Sequence, residues 1–186
     1  DPIDGTRAFI AGQQGFAHSL AVAEDDRIIA AVVHLPAMAL TFSAHADGPA
    51  LLNGQPIRPG MAGIRGARVL TYRSATDPEH WKGGRTPPFR REFRPSLAWR
   101  LCLVAEGRFD AALSVRHVWE WDIAAGSLIA ADGTLALLAE IGPLRIAREV
   151  GAQHLDRDVA VQPDVAGDVN LGHAAEPEDL AELVTV

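Results

Sequence analysis

The stretch Asp1-Pro2-Ile3-Asp4-Gly5-Thr6, continued by Arg7-Ala8-Phe9, decides how the rest of the chain is read. It places two carboxylates three residues apart with a proline between them, which can hold both on one side of a turn. Hard divalent cations take oxygen ligands of this kind. Gly5 lets the backbone approach a ligand closely. Thr6 offers a hydroxyl that can hold or orient a water. A helical turn starting near Thr6 would present free N–H groups that favour a phosphate. Standing alone, the same string also reads as a structural Asx-type turn, and both readings are open at this point.

Working outward, AHSLAVA (17–23) and IIAAVVHL (28–35) are β-rich runs joined by the polar Glu24-Asp25-Asp26-Arg27, which predicts a hairpin. Pro36 ends the second strand. Leu40 to Ala44 is a third run. Asn53-Gly54, between Leu51-Leu52 and Ile57, is a strong hairpin signal. Val69 to Tyr72 is one more strand candidate, and together these runs predict an antiparallel meander. Residues 76–95 are polar and rich in Pro, Gly and Arg, which predicts a loop. Its bases (Lys82, Arg85, Arg90, Arg91, Arg94) read either as solvated charge or as contacts to a phosphorylated substrate.

The period then changes. Ser96 is an N-cap candidate for a helix over LAWRLCLVAE (97–106), a run apolar almost all round and so buried on most sides. Gly107 fits the position just past its C-terminus. Phe109 to Val115 reads as a short strand. A second helix is expected from Asp122 to about Ala131, with Ala124, Ala125 and Gly126 allowing close packing. Leu135 to Val150 is helical in pattern, interrupted at Gly142-Pro143; 152–178 reads as loop or disorder, and Glu178 to Val184 as a short terminal helix. The expected division is 1–95, 96–131 and a divergent tail over 132–186.

Trp121-Asp122-Ile123-Ala124-Ala125-Gly126 is the second chemical feature. Asp122 at a helix start is either an ordinary N-cap or a third oxygen ligand meeting Asp1 and Asp4 from a distant part of the chain.

Composition sets the outer bounds. The 186 residues carry a formal net charge of −7, which excludes broad electrostatic binding to nucleic acid or an anionic membrane. It does not exclude a phosphate substrate, because bound metal supplies positive charge locally. The single cysteine, Cys102, excludes an internal disulfide and reads as a buried inert thiol in a reducing, cytoplasmic setting. No apolar run is long enough to span a bilayer, and no signal peptide is expected.

The two aspartate features, in this order and roughly 120 residues apart, are together far more specific than either. DPIDGTRAF (1–9) and WDIAAG (121–126) resemble the paired aspartate motifs of the inositol monophosphatase-like family of magnesium-dependent, lithium-sensitive phosphatases. The text between also fits: Gly15-Phe16, Ser19-Leu20-Ala21, the strand ending at Pro36, Asn53-Gly54 and Ala105-Glu106-Gly107-Arg108-Phe109-Asp110.

The resemblance implies an α/β fold, the layered αβαβα sandwich of sugar phosphatases. It implies Mg²⁺ ligation by Asp1, by the Ile3 carbonyl, by Asp4 and by Asp122. Gly5 and Thr6 N–H groups would hold the phosphate, Thr6 would help activate the attacking water, and Asp1 and Thr6 would be the catalytic pair. Residues just before the second motif contact the rest of the substrate in this family; here Arg116, His117 and Glu120 occupy that stretch. Arg116 and His117 suit a second phosphate or a hydroxyl, and Glu120 a hydroxyl. The implied substrate is a small phosphate monoester, with a 3′(2′),5′-bisphosphate nucleotide or histidinol phosphate as alternatives, and a homodimer is implied as the working form.

The pattern departs from the family in two places. Family members have a further glutamate ligand and an aspartate upstream of the position of Asp1, and this chain opens at Asp1, so the fold is expected to be incomplete on its N-terminal side. Ala130-Ala131-Asp132-Gly133 stands where the family has Glu-Ala-Gly-Gly, and 135–152 resembles the family's N-terminal helix. A non-catalytic binding or dimerisation module is the reading of another class.

Overall fold

A computed structural model describes residues 1–60 and 66–131, with Lys82 described as backbone only. The tail over 132–186, including the helices expected at 135–150 and 178–184, lies outside the described residues.

The first hairpin forms as the sequence predicts. Strand β1 (His18–Glu24) runs antiparallel to β2 (Arg27–Leu35) through Asp25 and Asp26, both at positive φ. Aspartate tolerates that conformation in a two-residue turn. Pro36 stops β2, and a short 3₁₀ turn at Pro36–Met38 returns the chain as β3 (Leu40–His45). Asn53-Gly54 then joins β4 (Leu51–Leu52) to β5 (Gln55–Pro56), again with both turn residues at positive φ. Asn53 adds a local clamp: its side chain accepts from Thr41 N at 2.8 Å and donates to the Ala39 carbonyl at 3.2 Å. The result is a five-stranded antiparallel sheet in sequence order.

A second sheet departs from the expected meander. Strand β6 (Arg68–Leu70) does not extend the first sheet; it is the middle of a three-stranded parallel sheet in the order β7-β6-β8. Strand β7 (Arg90–Glu92) lies inside the segment expected to be loop. Its three charged residues show no apolar alternation, which an edge strand tolerates. Strand β8 is shorter than the expected Phe109–Val115 and covers Ala111–Ala112. Its pairing with β6 continues on either side through Asp110 N to Arg68 O and Leu113 N to Leu70 O, and the Ser114 hydroxyl then turns the chain at Arg116. Parallel strands need a crossover, and helix α2 (Leu97–Ala105) supplies it between β7 and β8. This sheet thus draws strands from both sides of residue 95, the expected boundary between the first two segments.

Helix α2 starts where expected. The Ser96 hydroxyl accepts from Trp99 N at 2.9 Å, and Gly107, at positive φ, follows its end. Every residue of α2 is buried, as the apolar run predicts. Helix α3 (Glu120–Ala131) packs against it and lies against β1, β2 and β3. Gly126 makes the close approach possible: a Cβ there would stand 2.6 Å from Leu101 Cδ1. Ala31, Val33 and Leu35 of β2, Phe42 and Ala44 of β3, and the facing sides of α2 and α3 form one core. Cys102 is buried in it as a free thiol, and burial pushes its pKa well up.

Candidate active site

The first aspartate motif runs beside the start of β1. The Asp1 amino group donates to Ser19 O at 2.8 Å, and Ser19 N donates to Asp1 O at 2.9 Å. Asp4 and Ala17 exchange both backbone hydrogen bonds in an isolated antiparallel bridge. Between these pairs Asp1 Oδ1 accepts from Ile3 N at 2.8 Å, so the Asx turn is present. The Thr6 hydroxyl donates to Ile3 O at 3.0 Å. Gly5, at φ 88°, precedes helix α1 (Thr6–Ile10), and a Cβ there would meet Gly15 O at 3.1 Å. The residue must therefore lack a side chain on both conformational and steric grounds.

Asp4 is 7% exposed. Its Oδ2 accepts from the Ser96 hydroxyl and from Ala98 N, each at 2.7 Å. The start of α2 thus grips this carboxylate with the same serine that caps the helix. Burial nonetheless raises the Asp4 pKa; the hydrogen bonds from Ser96, Ala98 and Leu97 lower it in part, and the charge of Asp122 raises it further.

Asp122 sits three residues past the N-cap position that the sequence assigned to it. The helix begins at Glu120, so Asp122 is in the first turn rather than at the cap, and its Oδ2 accepts from Trp119 N at 2.9 Å. This is the backward-reaching half of a capping box. Trp121 O accepts a long 3.5 Å hydrogen bond from the Ser19 hydroxyl, whose backbone pairs with Asp1. Ser19 thereby links the two aspartate motifs, and Asp122 is close enough to Asp4 to perturb its titration.

The ligand atoms of Asp1, Asp4 and Asp122 do not all lie within 4.8 Å of one another. Among the described residues, the trio of His, Asp or Glu whose ligand atoms all lie within 4.8 Å of one another is instead Asp77, Glu79 and His80, an exposed cluster in the 3₁₀ turns after β6. Asp1 and Asp122 each retain one carboxylate oxygen with no hydrogen bond among the described residues.

The stretch before the second motif is largely at the surface. Arg116, His117 and Glu120 are exposed. The Arg116 guanidinium lies 4.2 Å from the centre of the Tyr72 ring, and His117 meets the edge of Trp119. Trp119 and Trp121 stack nearly parallel at 4.9 Å, and they are 56% and 51% exposed. Of the bases in 76–95, Arg94 pairs with Glu92 at 3.6 Å and covers the rings of Trp99 and Phe109.

Sequence reasoning missed two parts of this site. Ser96 reads as a cap, and nothing local tells that its hydroxyl also serves Asp4. Ser19 is one hydroxyl in a strand.

Residues 1–183 match the inositol monophosphatase family. The chain belongs to that family. An inositol-1-monophosphatase from Rhizobium meliloti is 32% identical over 141 residues, covering 69% of this chain and 51% of that protein. A fructose-1,6-bisphosphatase from Pyrococcus furiosus is 33% identical over 136 residues, covering 71% and 51%. A 3′(2′),5′-bisphosphate nucleotidase, CysQ, from Escherichia coli is 31% identical over 134 residues, covering 70% and 54%. Among solved structures, Mycobacterium tuberculosis SuhB superposes with a TM-score of 0.62 at 29% identity, covering 74% of this chain and 60% of its own. The α/β arrangement is therefore that of the inositol monophosphatase fold. The chain spans about half the length of the curated relatives it matches.

Proposed function

We propose that this chain carries the cation-binding and phosphate-binding centre of a Mg²⁺-dependent phosphomonoesterase. The observation that carries the reading is the hydrogen-bonded link between the two motifs, from Asp1 through Ser19 to Trp121 beside Asp122, with Asp4 fixed next to it by the bridge to Ala17. The donors available there are carboxylate and carbonyl oxygens, the set a hard cation takes. Asp4 is buried with no ion pair among the described residues, and a cation would supply the countercharge, so the residues present fit the group. Asp1, the Ile3 carbonyl, Asp4 and Asp122 are the residues that would hold it.

Bound Mg²⁺ supplies Lewis-acid polarisation of the phosphoryl group and a water of lowered pKa. The remaining work falls to the chain. Ser96 and Ala98 N–H fix the Asp4 carboxylate in one orientation. Thr6, now bonded to Ile3 O, presents its oxygen as acceptor for the water that attacks phosphorus. The backbone N–H groups at Gly5 and Thr6 would donate to the phosphate oxygens. The water oxygen forms the new P–O bond as one of its protons passes to solvent, the ester P–O bond breaks, and the leaving alkoxide takes a proton from solvent.

The substrate is a small phosphate monoester, and the names of relatives define the panel: inositol 1-phosphate, fructose 1,6-bisphosphate and adenosine 3′,5′-bisphosphate. The stacked, exposed Trp119 and Trp121 beside Asp122 favour the nucleotide, because every base offers a face to an indole. A homodimer working in the cytoplasm belongs to the same reading, and light scattering tests the former. Phosphate release across the panel, with Mg²⁺ and with EDTA, tests the activity. A chain that binds no Mg²⁺ and releases no phosphate is instead a binding module.

A further inference from the structure

Pro2 and Ile3 form the turn between Asp1 and Asp4, so one rigid peptide unit lies between the two carboxylates. Both of its polar ends are held. The Ile3 N–H donates to Asp1 Oδ1 at 2.8 Å, and the Pro2 carbonyl is hydrogen-bonded to His18 Nδ1. A carbonyl oxygen only accepts, so His18 Nδ1 carries a hydrogen and donates it. The tilt of the plane sets where its N–H points, and that N–H holds the Asp1 carboxylate. His18 therefore reaches Asp1 through the opposite end of a single peptide unit.

The imidazole is itself braced. His18 stands directly across from His34 in the pairing of β1 with β2, and the two rings stack with centroids 6.3 Å apart. His34 Nδ1 lies 2.9 Å from the Thr41 hydroxyl on β3. Phe16 meets the His18 ring nearly perpendicular, at 6.2 Å. A line of side chains thus runs from the third strand of the sheet to the first aspartate motif. Attachment of the motif does not depend on it, because Asp1 pairs with Ser19 and Asp4 with Ala17 through backbone hydrogen bonds. What the ring adds is the orientation of the Pro2–Ile3 unit. Ile3 is not at positive φ, and a β-branched residue resists that region, so a plane released by His18 tilts and does not flip.

We infer that His18 is a positioning residue for the cation centre: by holding the Pro2 carbonyl it fixes the peptide unit whose N–H orients the Asp1 carboxylate. The consequence for cation binding rests on the phosphatase reading, whereas the clamp on the peptide unit does not. Groups that orient a ligand in this way contribute to metal affinity without touching the metal.

Two measurements on the full chain test it. In the first, exchange of the Ile3 amide hydrogen is followed by NMR in EDTA, where no metal intervenes. His18→Ala should speed that exchange about tenfold or more, with the Ala17 and Val33 amides unchanged. His18→Asn keeps a donor close to the position of Nδ1 and should restore the protection. In the second, Mg²⁺ is titrated calorimetrically. Affinity should fall about tenfold in His18→Ala and return to within about threefold of wild type in His18→Asn. His18→Val suits a strand and repeats both measurements where His18→Ala fails to fold. Unchanged Ile3 exchange, faster exchange throughout β1, or an equal loss of Mg²⁺ affinity in His18→Ala and His18→Asn overturns the assignment. A wild-type chain that binds no Mg²⁺ removes the phosphatase reading, while Ile3 exchange still decides whether the clamp exists.

Discussion

The Ser96 hydroxyl donates a 2.7 Å hydrogen bond to the Asp4 carboxylate while accepting one of 2.9 Å from Trp99 N. One oxygen therefore starts a helix and orients a candidate ligand at once. Ser96→Ala should remove both effects. A lost cap with a buried acceptor left short of a donor costs about 1–3 kcal/mol. Urea denaturation of the two proteins measures the loss, and Mg²⁺ titration should show weaker binding in the variant. A stability equal to wild type would show the bond to be dispensable.

Asp122 is the remote carboxylate of the proposed site. Asp122→Asn keeps an acceptor for Trp119 N, so the start of α3 should survive. Phosphatase turnover should fall by orders of magnitude. The wild-type melting temperature should rise with Mg²⁺, because a ligand at about a hundredfold excess over its Kd stabilises the folded state by about 2.7 kcal/mol. Most of that rise should vanish in the variant. Wild-type-like turnover would remove Asp122 from the centre.

The close contact of α2 and α3 sets a steric prediction. A Cβ on Gly126 meets three atoms of Leu101, the nearest at 2.6 Å. Gly126→Ala removes a helix-weakening glycine, yet the overlap should dominate and cost about 1–3 kcal/mol. Thermal denaturation checks the sign. A raised melting temperature would mean that Leu101 moves aside without strain.

These cases separate what was legible in the chain from what was not. The hairpin turns at Asp25-Asp26 and Asn53-Gly54, the cap at Ser96 and the tight packing at Gly126 are local chemistry, and the sequence states them. The parallel sheet was not legible. Its edge strand is Arg90-Arg91-Glu92, which alternates in nothing a core requires, and its partners come from either side of α2. At the site, the proposed grouping of Asp1, Asp4 and Asp122 followed from the two motifs taken together. The hydroxyls of Ser19 and Ser96 that hold them did not, because a serine's distant partner leaves no mark on its neighbours.

Glu106 gives a pH dependence of definite sign. Its side chain is 8% exposed; burial raises its pKa from the ordinary 4.5, and the charge of Arg108, 3.1 Å away, lowers it in part. The folded state thus holds this proton more tightly than the unfolded chain. Its contribution to stability is full below about pH 4.5 and is lost as pH rises through the elevated folded value. Glu106→Gln should abolish that loss. The difference in melting temperature between variant and wild type should move in favour of the variant from pH 4 to pH 7, and a constant difference would show that Glu106 titrates normally.

The connection from Asp1 through Ser19 to Trp121 has a kinetic meaning. It is closed by residues from opposite ends of the described chain, after two sheets and a crossover have formed between them. Contacts of such long sequence separation slow the search for the native state. A chain with β1 and β2 paired and α3 undocked would hold the first motif without the second, so cation affinity should appear only once α3 docks and should serve as a clock for that step.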